Sequence, residues 1–252
     1  MHRLIDNHPL SETERKRGML VLMLSTFFTW GGFYLVVPLV GLHYVDQLGW
    51  AAASIGLVLA VRQFVQQGAT SVSGALADKT GAKGPIVVGL LIRAIGFAAL
   101  AWSTTFPILL AAFIVASLGG ALFDSPKNAA IAALTTEEER PRFYSLSGVF
   151  IGLGMTVGTQ AGARLLRVSF EAVAIASGLL YVVIAVLAVL FLPPVKVAEG
   201  EGDFWAGFRL AMRDKAFVIF IVLMAGQWFM STQFFRTMPL AATAITGTAE
   251  TI

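Results

Sequence analysis

The chain has 252 residues, of which 57% are hydrophobic and only 13% charged, where ordinary soluble domains run to about a quarter charged. A mean hydropathy of +0.78 gives more apolar surface than a water-soluble core can hide, so the class is an all-α polytopic membrane protein. The net charge of +3 fits basic cytoplasmic loops better than a nucleic-acid surface, and no nucleic acid is expected as a partner.

Seven apolar runs predict transmembrane helices over residues 18–42, 51–77, 84–105, 107–133, 143–166, 170–192 and 216–240. Each is near or above the ~20 residues that cross a 30 Å hydrocarbon core. The first lacks a small-x-small cleavage site and is too long for a signal-peptide core, so it is read as a retained anchor. It carries the aromatics Phe27, Trp30, Phe33 and Tyr34, which with Phe123 of the fourth run would suit a cavity for apolar cations, or simple packing. The second run carries Arg62, Gln63, Gln66 and Gln67, a polar stripe at helical spacing near mid-membrane. Such groups line a water-filled path or hold helices together by hydrogen bonds. Arg93 lies inside the third run, where structural pairing is the expected role. Asp124 is the one carboxylate well inside a run and is a candidate proton carrier, or a neutralising partner for Lys127. Asp46 reads as a solvated loop charge.

The run from 193 to 215 differs from the other connections. It opens on Pro193 and Pro194, passes through an acidic turn, then places Phe204, Trp205, Phe208 and Met212 at helical spacing with Arg209 and Arg213 on another face. That pattern predicts an amphipathic helix on the cytoplasmic membrane surface. The expected organisation is a cytoplasmic segment at 1–17, a six-span bundle at 18–192, a linker at 193–215 and one span of an incomplete second bundle at 216–252.

The basic residues orient the chain. Arg3, Arg15, Lys16, Arg17, Lys79, Lys83, Lys127, Arg140, Arg142, Lys196, Arg209, Arg213 and Lys215 fall on or near one side, against Arg164 and Arg167 on the other. The positive-inside rule therefore puts the N-terminus in the cytoplasm. A shift of 88 residues superposes Gly31, Gly32 and Pro38 on Gly119, Gly120 and Pro126, and Gly74-Ala75 on Gly162-Ala163. A three-span unit reverses direction when repeated, so the six spans read as a 3+3 inverted repeat, a construction of secondary transporters. Chance alignment of helix-packing glycines is the plainer alternative.

Between the second and third runs lies "GALADKTGAKG", residues 74–84. Gly81 suits a turn position with positive φ, and Gly74 suits close helix approach. Asp78 sits near a helix C-terminus, where the dipole disfavours an anion, so it depends on a partner elsewhere. The spacing Gly74, Leu76, Ala77, Asp78, Lys79, Gly81, Lys83 resembles the loop signature of the major facilitator superfamily. The stretches "YVDQLGWAAASIGLVLAVRQFVQQ" and "GGALFDSPKNAAIAAL" are similar to multidrug transporters of that superfamily.

The resemblance implies a six-helix N-terminal bundle plus a seventh helix, about half of the usual twelve spans. It also implies a conformational latch at Gly74, Asp78, Lys79, Gly81 and Lys83, part of which closes onto a second bundle. There are two departures. No basic residue precedes Lys127 in the fourth span, and the fifth reads Gly158-Thr159-Gln160-Ala161-Gly162 without the proline of the antiporter motif. Gly154, Gly158 and Gly162 still suit tight packing.

The expected function is proton-coupled efflux of lipophilic or cationic compounds across a bacterial cytoplasmic (inner) membrane. The alternatives are a metabolite transporter of the same fold, or a non-transporting half that needs a second bundle or a copy of itself. Membrane lipid, a small-molecule substrate and protons are the expected partners. The chain has no cysteine, and its three histidines are scattered. With no nucleophile–base set, metal cluster or phosphate loop, neither an enzyme, a metal nor a cofactor is expected.

Overall fold

The computed structural model of the chain describes residues 10–195 and, in part, residues 212–230. The chain divides into two units, Met1–Glu199 and Gly200–Ile252. In the second, all described positions but Asp214 are helical. The expected amphipathic helix at Phe204, Trp205 and Phe208, and most of the span from 216 to 240, lie outside the described residues.

The first unit contains six long α-helices among its described residues: α1 Glu12–Gly41, α2 Ala52–Thr80, α3 Lys83–Ala99, α4 Phe106–Leu134, α5 Glu139–Leu166 and α6 Phe170–Phe191. A π-helical turn, Leu42–Gln47, continues α1, and a 3₁₀ turn, Leu100–Trp102, ends α3. The apolar runs located these helices to within a few residues, except at two starts. α1 begins at Glu12 because Ser11 and Glu14 cap it reciprocally. Just ahead of α5, which begins at Glu139, Thr136 and Glu139 exchange backbone-to-side-chain hydrogen bonds that order the entry to the helix. Hydropathy marks the part of a helix that crosses hydrocarbon, whereas caps decide where it starts.

Among the described residues, five helices are long and apolar enough to cross a membrane: α1 with its π turn, α3 with its 3₁₀ turn, α4, α5 and α6. The exception is α2, which carries Arg62, Gln63, Gln66 and Gln67. Its polar stripe needs protein or water beside it rather than lipid.

Glycines set the closest approaches. A Cβ on Gly154, Gly158 or Gly162 would collide with the carbonyl oxygen of Phe27, Gly31 or Leu35 in turn. The two ladders advance together by four residues, so α1 and α5 run parallel along a seam that only glycine permits. α3 meets α4 in the same way but antiparallel, with Gly89 against Gly119 and Gly96 against Ala116. Across α1 and α6, Ser177 Oγ donates to the Gly32 carbonyl at 2.8 Å and Tyr181 Oη to the Thr29 carbonyl at 2.8 Å.

The extensive interfaces are α1 with α5 and α6, α4 with α2 and α3, and α3 with α6. Exchanging helices α1–α3 for α4–α6 leaves this pattern unchanged, as an inverted repeat requires. The residue matches hold less uniformly. Gly74 meets Ser125 of α4 as Gly162 meets Leu35 of α1. Gly31, however, faces α5 while its counterpart Gly119 faces α3.

Packing of the α1–α5 seam yields a direct test. Gly158→Ala overpacks it, and thermal melting in detergent should fall by roughly 2–10 °C, the shift expected for about 1–3 kcal/mol. Gly152→Ala, where a Cβ meets nothing within 4 Å, should leave the midpoint unchanged or raised.

Candidate functional site

The polar residues of α2 converge on the middle of the bundle. Residues four apart share a helix face, so Arg62 and Gln66 point the same way. Arg62 Nη2 donates to Gln66 Oε1 at 3.1 Å, and Gln66 Nε2 donates to Asp124 Oδ2 at 2.9 Å. This thread joins α2 to α4 and uses the Gln66 amide at both ends. Gly120 of α4 makes the room: a Cβ there would come within 3.1 Å of the Gln66 amide and 3.2 Å of Arg93 Nη1.

Arg93 reaches the same region from α3. It is only 6% exposed, and its guanidinium carbon lies 5.1 Å from the Tyr181 ring centroid, 5.9 Å from Phe97 and 6.0 Å from Phe33. Arg62 sits over that same Phe33 ring at 4.6 Å. Two guanidinium groups thus share one aromatic ring. Ring faces attract a cation by about 2 kcal/mol when desolvated, whereas taking an ion out of water costs several kcal/mol. Rings also accept few of the five N–H donors of a guanidinium, and Arg93 Nε has no hydrogen-bond partner. The structural role expected of Arg93 takes the form of these ring contacts; the two ion pairs among the described residues are Arg15–Glu139 and Lys16–Glu12.

Lys127 lies within α4, as the fourth apolar run placed it, with Nζ 5.2 Å from the Phe123 centroid. It makes no ion pair with Asp124, which accepts from Gln66 instead. Arg62, Gln66, Asp124 and Lys127 are half-buried, and Gln63 and Gln67 are exposed beside them. Of the candidate cavity aromatics, Trp30 stacks on Tyr34 at 6.0 Å and both are half-buried. Phe123 is fully buried in the core, so it supports the site from behind and lines no open surface. Asp46 is exposed in the π turn.

The loop from α2 to α3 has the geometry its sequence demands. Gly81 has φ 80°, and Gly74 lies so near Ser125 that a Cβ would sit 3.0 Å from its Oγ. Asp78 is two residues from the end of α2, with no hydrogen bond or ion pair among the described residues. Lys79 is exposed and Lys83 half-buried at the start of α3.

Three features of this end escaped the sequence reading. Ala82 donates its backbone N–H to the Val195 carbonyl at 3.1 Å, fastening the loop to the segment after α6. Pro193 in that segment packs against Gly18 of α1. Arg15 pairs with Glu139 and also donates to the Leu134 carbonyl at 3.4 Å, tying α1 to the α4–α5 connection. Thr136-x-x-Glu139 was a readable capping signature. Tyr181, the one tyrosine in the largely apolar α6, was the available signal for the core around Arg93.

Comparison with known proteins adds the following. The profile of the Major Facilitator Superfamily matches residues 22–248. The chain is 37% identical over 238 residues to the multidrug resistance protein MdtH of Photorhabdus laumondii, covering 94% of this chain and 59% of that protein. It is 36% identical to MdtH of Yersinia enterocolitica, again over 94% and 59%. For MdtH of Baumannia cicadellinicola the identity is 35%, over 92% of this chain and 57% of the relative. The chain therefore spans a little under three fifths of the length of the curated relatives it matches. Among solved structures, a bacterial homologue of the human drug peptide transporters PepT1 and PepT2 superposes with a TM-score of 0.62 at 15% identity. That match covers 92% of this chain and 56% of the other, and it speaks to the fold alone.

The polar thread can be tested by stability. Gln66→Leu removes the partner of the Asp124 carboxylate and should cost about 1–3 kcal/mol, read as a lowered melting midpoint in detergent. Gln63→Leu should be close to neutral, because Gln63 is exposed and its contact with Arg62 is at the 3.5 Å limit.

Proposed function

The chain belongs to the major facilitator superfamily, and from that membership we propose that it acts as one bundle of a secondary active transporter. In this reading the protein exports lipophilic, drug-like compounds across a bacterial inner membrane by alternating access, coupled to protons. The N-terminus is cytoplasmic. The observation that carries the reading is the Arg62–Gln66–Asp124 thread, a hydrogen-bonded polar path among apolar helices. Intramembrane ionisable groups of this kind mark ion and substrate pathways. Its similarity to proteins named for multidrug resistance supports export rather than nutrient uptake.

Asp124 is the proton carrier in this proposal. Protonation removes its charge and weakens the hold on Gln66 Nε2, which frees Arg62 to take another partner. The α2–α3 loop is the latch. Asp78 has no compensating group in the described residues and gains one only when a second bundle closes over it, which makes its contacts specific to one conformation. Alternating access rocks one bundle against another around a midplane site. The second bundle in this scheme is a further part of the same protein or a second copy of it.

Everted membrane vesicles containing the protein test the transport reading. A proton gradient should drive accumulation of at least one lipophilic dye from a broad panel, a protonophore should abolish it, and Asp124→Asn should lower it by about 100-fold, the lower range for loss of a proton-transfer group. Absence of gradient-driven flux across the panel contradicts the proposal. Asp78→Asn should cut flux while leaving the amount of inserted protein unchanged; equal flux would reduce the loop to a topology signal.

A further inference from the structure

Resting on the transporter reading above, we propose that Arg62, Arg93 and Lys127 form an anion site that receives the carboxylate of a lipophilic, ring-bearing substrate. Three cations share this part of the bundle with one carboxylate, Asp124. Arg62 and Arg93 share the Phe33 ring at 4.6 and 6.0 Å, and Lys127 lies 5.2 Å from Phe123 on the helix that carries Asp124. Asp124 already accepts from Gln66 at 2.9 Å. Among the described residues, no ion pair links any of the three cations to a carboxylate. Glu139 and Glu12 are taken by Arg15 and Lys16.

The second observation is independent of the charge count. Arg93 is 94% buried by its 6% exposure, and its Nε lacks a partner. A buried guanidinium donor left unpaired is poised for an acceptor that the chain does not supply. Arg62 and Lys127 are half-buried and Gln63 and Gln67 beside them exposed, so the cluster is not sealed inside the bundle. Trp30, Phe33 and Tyr34, packed edge to face and stacked alongside, offer an apolar surface to a ring that accompanies the carboxylate. An organic cation in the same place would add a fourth positive charge. The expectation of cationic substrates has Asp124 in its favour and these three side chains against it.

Equilibrium dialysis of the full chain in phosphatidylcholine nanodiscs tests this, with 1-naphthoate and the similarly shaped 1-naphthylmethylammonium as probes. Naphthoate should bind saturably and the ammonium at least roughly 30-fold more weakly, since a desolvated charge pair lost or inverted costs that much. Arg93→Gln and Arg62→Gln should each lower naphthoate affinity by a similar factor. Asp124→Asn, which removes the competing carboxylate, should tighten it. If Arg93→Gln fails to fold, Arg62→Gln combined with Lys127→Gln carries the same expectation.

Preference for the ammonium, no saturable binding of either probe, or wild-type affinity in the Arg62 and Lys127 double variant overturns the proposal. Phosphatidylglycerol added to the nanodiscs separates the two sources of an anion. Undiminished naphthoate binding supports a small-molecule site, and competitive loss assigns it to a lipid phosphate instead. A protein that moves cationic dyes in vesicles yet ignores naphthoate loses this inference and keeps the transporter reading.

Discussion

Arg93 sets the terms for the middle of the bundle. Its charge is permanent, so everything around it has to accommodate a cation that is only 6% exposed. α3 can carry it there because Gly89 lies against Gly119, which brings the two backbones together and swings the guanidinium towards Gly120. The absent side chain at Gly120 leaves space for both Arg93 and the Gln66 amide. Tyr181 supplies a ring while its hydroxyl is anchored on the Thr29 carbonyl of α1. Phe33 is held between Arg93 and Arg62. A larger residue at Gly120, or a different ring at 181, would disturb several helices at once.

Much of the fold was legible because hydropathy and glycine spacing act locally. The apolar runs report hydrocarbon thickness, and Gly154, Gly158 and Gly162 at four-residue intervals report a helix seam. The positive φ of Gly81 followed from turn chemistry alone. The repeat was readable as a pattern of helices, and Gly74 and Gly162 do occupy equivalent seams. Gly31 and Gly119 do not, since a glycine shows that something approaches closely and not which helix it is.

The site was legible in membership and not in wiring. Arg62, Gln66 and Asp124 stood out as polar residues in apolar runs, yet nothing in their spacing said that Gln66 would bridge the other two across helices. Arg93 was expected to be held structurally, and its spacing did not say that aromatic rings would hold it. Phe123 and Tyr181 show the limit from the other side: an aromatic in a membrane helix carries no mark of whether it faces a cavity, lipid or the core. The absence of a basic residue before Lys127 in the fourth span also has a structural counterpart. Arg93 delivers a guanidinium to Gly120 of that helix from its neighbour α3.

In the proposed pathway beside α2 the cations outnumber their one carboxylate, which gives it a positive potential. The chain lacks cysteine, so a single thiol can be placed at Gln63 without removing any native one. The most direct measurement is the rate at which Gln63→Cys reacts with an anionic and with a cationic methanethiosulfonate, each divided by its rate with a free thiol. A positive potential predicts that the corrected rate is higher for the anionic reagent, and that Arg62→Gln narrows the difference. A faster cationic reagent, or no reaction with either, would contradict the account.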